Sequence, residues 1–150
     1  MNEQSKAAQR RRVVMDSRFA ERWFVGRGLD VGCGSDPLSK VDYPNIIEIV
    51  PYDIVLGNAS GQLLPEIRDA EFDFVHSSHC LEHLVHPRIA LANWVRVVKP
   101  GGYLICTVPE EFLYEQGHWP SRFNADHKHS FTLRSIPIIP GSGQSHRSEV

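Results

Sequence analysis

Three groups of residues in this 150-residue chain have the types and spacing to do chemistry. The first is Asp30-Val31-Gly32-Cys33-Gly34, a glycine pair after a short apolar run, with Asp53 placed 21 residues beyond Gly32. Glycine lets a ligand approach the main chain without meeting a Cβ, and it adopts the backbone angles of tight turns. A carboxylate ending the next apolar run can accept both ribose hydroxyls of an adenosine-containing cofactor. The second group is His76, His79, Cys80, His83 and His86. The third is Asp126-His127-Lys128-His129, preceded by Trp119, Arg122 and Phe123. Imidazole titrates near pH ~6.5, so His127 or His129 suits proton abstraction near neutrality. Arg122 could orient an anionic acceptor, with Trp119 or Phe123 stacking on it. A surface loop whose histidines bond only the backbone is the competing reading.

Two cofactor classes compete for the glycine turn. A dinucleotide wants a third glycine and an unopposed pyrophosphate at a helix N-terminus. Here Pro37 stands in the third glycine position, and Asp36 would repel the phosphates. S-adenosylmethionine carries no phosphate and bears a cationic sulfonium and an ammonium, so acid-flanked glycines suit it better. The histidines raise a metal reading as well, because His79-Cys80-Leu81-Glu82-His83 has the H-x-x-E-H form of certain zinc peptidases. That form needs both histidines on one helical face. His79 falls at a strand exit, so the two side chains are expected to diverge, with Glu82 and His83 tying a turn together by hydrogen bonds. The reading therefore takes no metal. The three cysteines, Cys33, Cys80 and Cys106, are read as small packing residues.

The elements that must position these residues can be read from periodicity. Residues 8–24 form an amphipathic helix with Met15, Phe19 and Trp23 on one face. The run Arg10-Arg11-Arg12 is read as a solvated face of it. Leu29-Asp30-Val31, Ile46 to Ile54, Phe72 to Val75 and Tyr103 to Val108 are strands. Pro51 inside the second marks an edge or a bulge. Pro87 opens a helix running to about Val98, and Lys99-Pro100-Gly101-Gly102 stops it. Strands alternating with helices and loops give a mostly parallel α/β sheet, which binds ligands beyond its strands' carboxyl ends.

Composition narrows the class further. Sixteen Lys+Arg against eighteen Asp+Glu leave a formal charge of −2, without the basic excess of nucleic-acid binders. Mean hydropathy is −0.28, and no apolar run approaches the roughly 20 residues of a membrane span. Three cysteines make no disulfide framework. A cytoplasmic domain is the expectation.

The segments Leu29 to Pro37, Tyr52-Asp53-Ile54 through Gly57-Asn58-Ala59, Phe72 to His83, and Arg96 to Gly102 together resemble the class I S-adenosylmethionine-dependent methyltransferases. The resemblance spans roughly residues 26 to 132. It implies a Rossmann-like fold with strand order 3-2-1-4-5 and a hairpin of strands 6 and 7 at one edge. Strand 3 is expected to be stunted, because residues 54–72 are too few for a full passage. The resemblance places Asp30, Gly32 and Gly34 along the methionine portion of the cofactor and Asp53 on its ribose. Asn58 and Ala59 fall at the adenine, and Ser77, Ser78 and His79 beneath the cofactor. Cys33 and Ile54 join that cofactor-binding set. It implies an acceptor pocket after strand 5, holding His127 and His129, and weakly a small-molecule or sugar-type acceptor.

Residues 1–132 are read as the methyltransferase domain and 133–150 as a flexible tail. Pro137 and Pro140 forbid a regular helix there, so edge strands 6 and 7 are expected to be missing, as in a truncated product. The exposed strand edge could then pair with a second copy. Two functional readings follow: a methyltransferase acting by direct displacement, with activity weakened by truncation, or an inactive S-adenosylmethionine-binding remnant.

Overall fold

The computed structural model describes residues 14–132. Four strands, β1 (Gly26–Val31), β2 (Ile46–Tyr52), β3 (Phe72–Ser78) and β4 (Val98–Thr107), form one sheet in the order β2-β1-β3-β4. All three pairings are parallel. Helix α1 (Phe19–Trp23) precedes β1, and α2 (Pro87–Val97) joins β3 to β4. Pro87 sits in the first turn of α2; the chain leaves that helix at Val98 in an extended conformation, so Lys99-Pro100-Gly101-Gly102, expected to stop the helix, falls within β4. Among the described residues β2, which carries Pro51, is an outer strand, where the missing amide hydrogen costs no central ladder bond.

Both faces of the sheet are covered. Leu29, Val31, Val75 and Phe72 pack with Ala90, Leu91, Trp94 and Val97 of α2 on one side. Phe24, Leu38, Ile46 and Phe74 form a smaller cluster, with Phe19 and Ala20 of α1 against it. Gly28 leaves room for the Phe74 ring on that second face, since a Cβ there would lie 2.1 Å from it.

Three further expectations change. The helix over 8–24 is not continuous: Val14 and Met15 are helical, but the chain breaks at Asp16 and α1 restarts at Phe19. The Asp16 carboxylate accepts from the Arg18 amide at 3.0 Å, a local bond that competes with helix continuation. Residues 8–13, with the arginine run, lie outside the described residues.

The order expected as 3-2-1-4-5 is present as its 2-1-4-5 portion. No third strand forms among the described residues, because residues 53–71 fold as successive turns. Leu64 and Ala70 hold positive φ, which no strand accommodates. Side chains of α2 satisfy the main chain of this segment instead. Trp94 Nε1 donates to Gly61 O at 2.7 Å, and Arg96 donates to Leu64 O and Ile67 O at 3.1 and 3.0 Å.

The first strand, expected over Leu29-Asp30-Val31, begins earlier, and Gly26 to Gly28 are the first half of β1. β4 is the other outer strand among the described residues. The tail at 133–150, and any edge strands it would supply, lie outside them.

Candidate functional site

β1 ends at Val31, and the chain turns through two glycines with opposite surroundings. Gly32, at φ +73, donates its amide to Tyr52 O at 2.9 Å, and a Cβ there would meet Cys80 at 2.4 Å. Gly34, at φ +60, has nothing within 4 Å of its Cβ position, so that part of the turn faces open space. Its amide donates to Asp53 Oδ2 at 2.8 Å. The other oxygen of Asp53 accepts from the Val55 amide at 2.9 Å and caps the short 3-10 turn Ile54–Leu56. Asn58 closes this loop: its Oδ1 accepts from the Asp53 amide at 3.0 Å. The glycine turn, Asp53 and the loop after β2 are therefore one continuous surface.

This surface fits an adenosine-bearing cation. Each Asp53 oxygen accepts one bond, and a carboxylate has about four acceptor sites, so the diol of a ribose can still be received. Ile54, Val55 and Leu56 stand 69%, 67% and 46% exposed beside it, an apolar ledge of the kind an adenine packs on. Ala59 is exposed and Asn58 half-buried on the same loop.

Asp30 lies beneath the turn. Its carboxylate is buried, with Oδ1 2.7 Å from His76 Nδ1 and Oδ2 accepting from the Leu38 amide at 2.7 Å. Those bonds tie β1 to β3 and to the chain leaving the glycine turn. Ser77 is fully buried, its hydroxyl beside the Cys80 thiol. His79 leaves β3 at φ +53, its amide donating to Thr107 O at 2.9 Å. Burial pushes the Cys33 thiol up to about 11, aided by the Asp30 charge. Burial likewise pushes Cys80 to about 12, with Glu82 adding to it. Both are protonated near neutrality and unsuited to nucleophilic attack.

The loop after β4 folds back on the β3 exit. The Glu82 carbonyl accepts from the Lys128 and His129 amides at 2.8 and 3.2 Å. His127 is buried, with Nδ1 2.6 Å from Glu115 Oε1 and Nε2 3.9 Å from Glu82 Oε1. His79 Nδ1 and His83 Nε2 stand 3.5 and 3.9 Å from the same Glu82 oxygen. His79, at φ +53, and His83 both face Glu82, but only His83 falls in the group of side chains whose ligand atoms lie within 4.8 Å of one another. The Glu82 side chain does not tie the 3-10 turn Leu81–His83, since neither carboxylate oxygen has a hydrogen-bond partner. His129 Nε2 is also buried without a partner. Trp119, Arg122 and Phe123 are exposed on the outside of the loop, and Phe123 packs edge-on to Tyr114.

A family model described as a methyltransferase domain matches residues 6–137. The chain belongs to the methyltransferase-domain family. Solved structures share the fold, among them the following two. The YcgJ protein of Bacillus subtilis, at 18% identity and TM-score 0.64, covers 83% of this chain and 64% of its own. A methyltransferase candidate of Bacillus halodurans C-125, at 18% identity and TM-score 0.54, covers 65% and 51%. The chain thus spans between half and two thirds of the length of these structures. No curated protein matches it.

In this methyltransferase domain, the cofactor-side residues named from sequence gather at the carboxyl ends of β1, β2 and β3. His127 and His129 gather beside the β3 exit, while Trp119, Arg122 and Phe123 stay outside. Sequence reasoning missed Glu115 and the direct Asp30–His76 contact. Glu115 stands 12 positions before His127 with no motif spacing. The second contact could have been found from the parallel register that pairs Asp30 with His76 across β1 and β3. No helix is long and apolar enough to cross a membrane among the described residues.

Proposed function

We propose that this domain binds S-adenosylmethionine at the Gly32–Asp53 surface and transfers its methyl group to a small-molecule or sugar-type acceptor. One observation carries the reading: the Gly34 amide sits 2.8 Å from Asp53 Oδ2, so an open main-chain turn and a diol-binding carboxylate share one surface. When bound, the cofactor supplies a methyl already activated on a sulfonium, so the protein's work is alignment and proton removal. Asp53 would hold the ribose, and Gly34 would let the amino-acid end approach. Ile54 and Ala59, with Asn58 behind them, would frame the adenine.

On the acceptor side, the aromatic faces of Trp119 and Phe123 suit a sugar or ring, and the Arg122 guanidinium suits an anionic group. Of the two candidate histidines, His127 has Nδ1 committed to Glu115. His129 has an unpartnered Nε2 and is the better proton acceptor for a hydroxyl.

The test is a thermal-shift titration with S-adenosylhomocysteine, run beside NAD. S-Adenosylhomocysteine at 100 times its Kd should stabilise the fold by about 2.7 kcal/mol, and NAD should not. No shift with S-adenosylhomocysteine, or an equal one with NAD, overturns the assignment. Binding without turnover of any hydroxylated acceptor would retain the cofactor site and reject the transfer.

A further inference from the structure

We infer that Glu82, His83 and His127 form a site for a divalent transition metal of the zinc class. One oxygen of Glu82 and one nitrogen of each histidine all lie within 4.8 Å of one another. Glu82 is completely buried, and neither of its carboxylate oxygens receives a hydrogen bond. Leaving such a group unpaired costs several kcal/mol, roughly, so burial of this kind calls for a partner. Among the described residues no lysine or arginine pairs with Glu82, and the Lys128 ammonium is turned instead onto the His83 carbonyl at 2.8 Å.

The tautomers of both histidines follow from what stands behind them. His83 Nδ1 faces the Asp126 carbonyl at 3.2 Å, and a carbonyl only accepts, so that nitrogen carries the hydrogen. His127 Nδ1 faces the Glu115 carboxylate at 2.6 Å and donates to it in the same way. With Nδ1 committed on each ring, Nε2 is the nitrogen left to face Glu82 Oε1, at 3.9 Å in both cases. Three candidate ligand atoms converge, with His79 Nδ1 standing 3.5 Å from the same Glu82 oxygen. The two 3.9 Å separations are too long for hydrogen bonds but close to the ~3.3 Å between ligands held tetrahedrally at about 2.0–2.1 Å from zinc.

An imidazole fixed from behind by a carboxylate or carbonyl is the outer-shell arrangement of metal-binding histidines. Two imidazoles with one carboxylate favour zinc over magnesium or calcium. Three protein ligands leave a fourth position for water or another oxygen ligand. Such an ion would lock the loop after β4 onto the β3 exit. Nothing in this assignment depends on the cofactor reading.

The experiment is titration of the chelator-treated full chain with zinc chloride, followed by calorimetry and thermal melting. One zinc per chain and a higher Tm are expected. Glu82→Gln, which keeps the shape, and His83→Ala, at a half-exposed ring, should each abolish stoichiometric zinc. Glu115→Gln should weaken zinc by roughly 10–100-fold without touching a ligand. Circular dichroism establishes that each variant folds. Failure of the native chain to take up one zinc, or stoichiometric zinc retained in both ligand variants, overturns the site. The S-adenosylhomocysteine titration is read separately, so either assignment can fail alone.

Discussion

Gly32 and Gly34 both take left-handed backbone angles, yet different demands hold them there. At Gly32 a side chain would collide with Cys80; at Gly34 it would enter open space. Gly32→Ala should therefore lower the unliganded Tm steeply. Gly34→Ala should cost only the ~1–2 kcal/mol of a left-handed non-glycine residue while sharply weakening S-adenosylhomocysteine. Parallel thermal melts and titrations check both. Asp53 has a double role: its carboxylate receives the Gly34 and Val55 amides as well as facing the proposed ribose site. Asp53→Ala should abolish the ligand shift and also remove about 1–2 kcal/mol from the unliganded fold, as loss of a cap does. The two thiols offer an independent check on burial. Cys33 and Cys80, held near 11 and 12, should resist iodoacetamide at pH 8, and mass spectrometry should find them unmodified under native conditions.

At the scale of elements, α2 does more than cover the sheet. Its Asn93, Trp94 and Arg96 bond the main chain of residues 61–67, which stand where a third strand was expected. A segment without a ladder needs other partners for its carbonyls, and long polar side chains from a packed helix supply them. Arg96→Ala removes the Arg96 bond to Ile67 O, leaves Leu64 O only the Ile67 amide, and also removes the ion pair with Asp69. A loss of ~2–3 kcal/mol is expected from charge-assisted bonds of this kind, read from urea unfolding. Trp94→Phe, which keeps the ring in the core but frees the Gly61 carbonyl, should cost about 1–3 kcal/mol.

Over the whole molecule, charge pairs at the amino-terminal end of the sheet set the acid limit of stability. The Asp73 carboxyl is held below its usual range, first by the Lys99 ammonium and then by the Arg27 amide. Glu71 is lowered chiefly by the Arg27 guanidinium. A depressed carboxylate contributes stability above its unfolded value, near pH ~4, and loses it as pH falls through the lower folded value. Asp73→Asn should therefore flatten the acid limb of the stability curve below pH ~4, measured by urea midpoints. Because these pairs are partly exposed, the effect should shrink with added salt.

The four strands, the start of α2 and the position of Asp53 beside the glycine turn were legible in the sequence because each rests on a local rule. Apolar runs make buried parallel strands, Pro opens a helix, and a carboxylate follows the second strand at its carboxyl end. The α1 break was missed because one Asp16 bond outweighs a weak helical preference. The turns at 53–71 were decided by α2 side chains some 30 residues away in sequence. The cluster of Glu82, Glu115, His83 and His127 was less legible still. Its members come from the β3 exit and from two places in the loop after β4, and only the folding of that loop onto Glu82 brings their lone pairs together. Sequence determined which chemistry each segment carries; tertiary packing decided which of those groups face one another, because burial and convergence depend on contacts that no local spacing encodes.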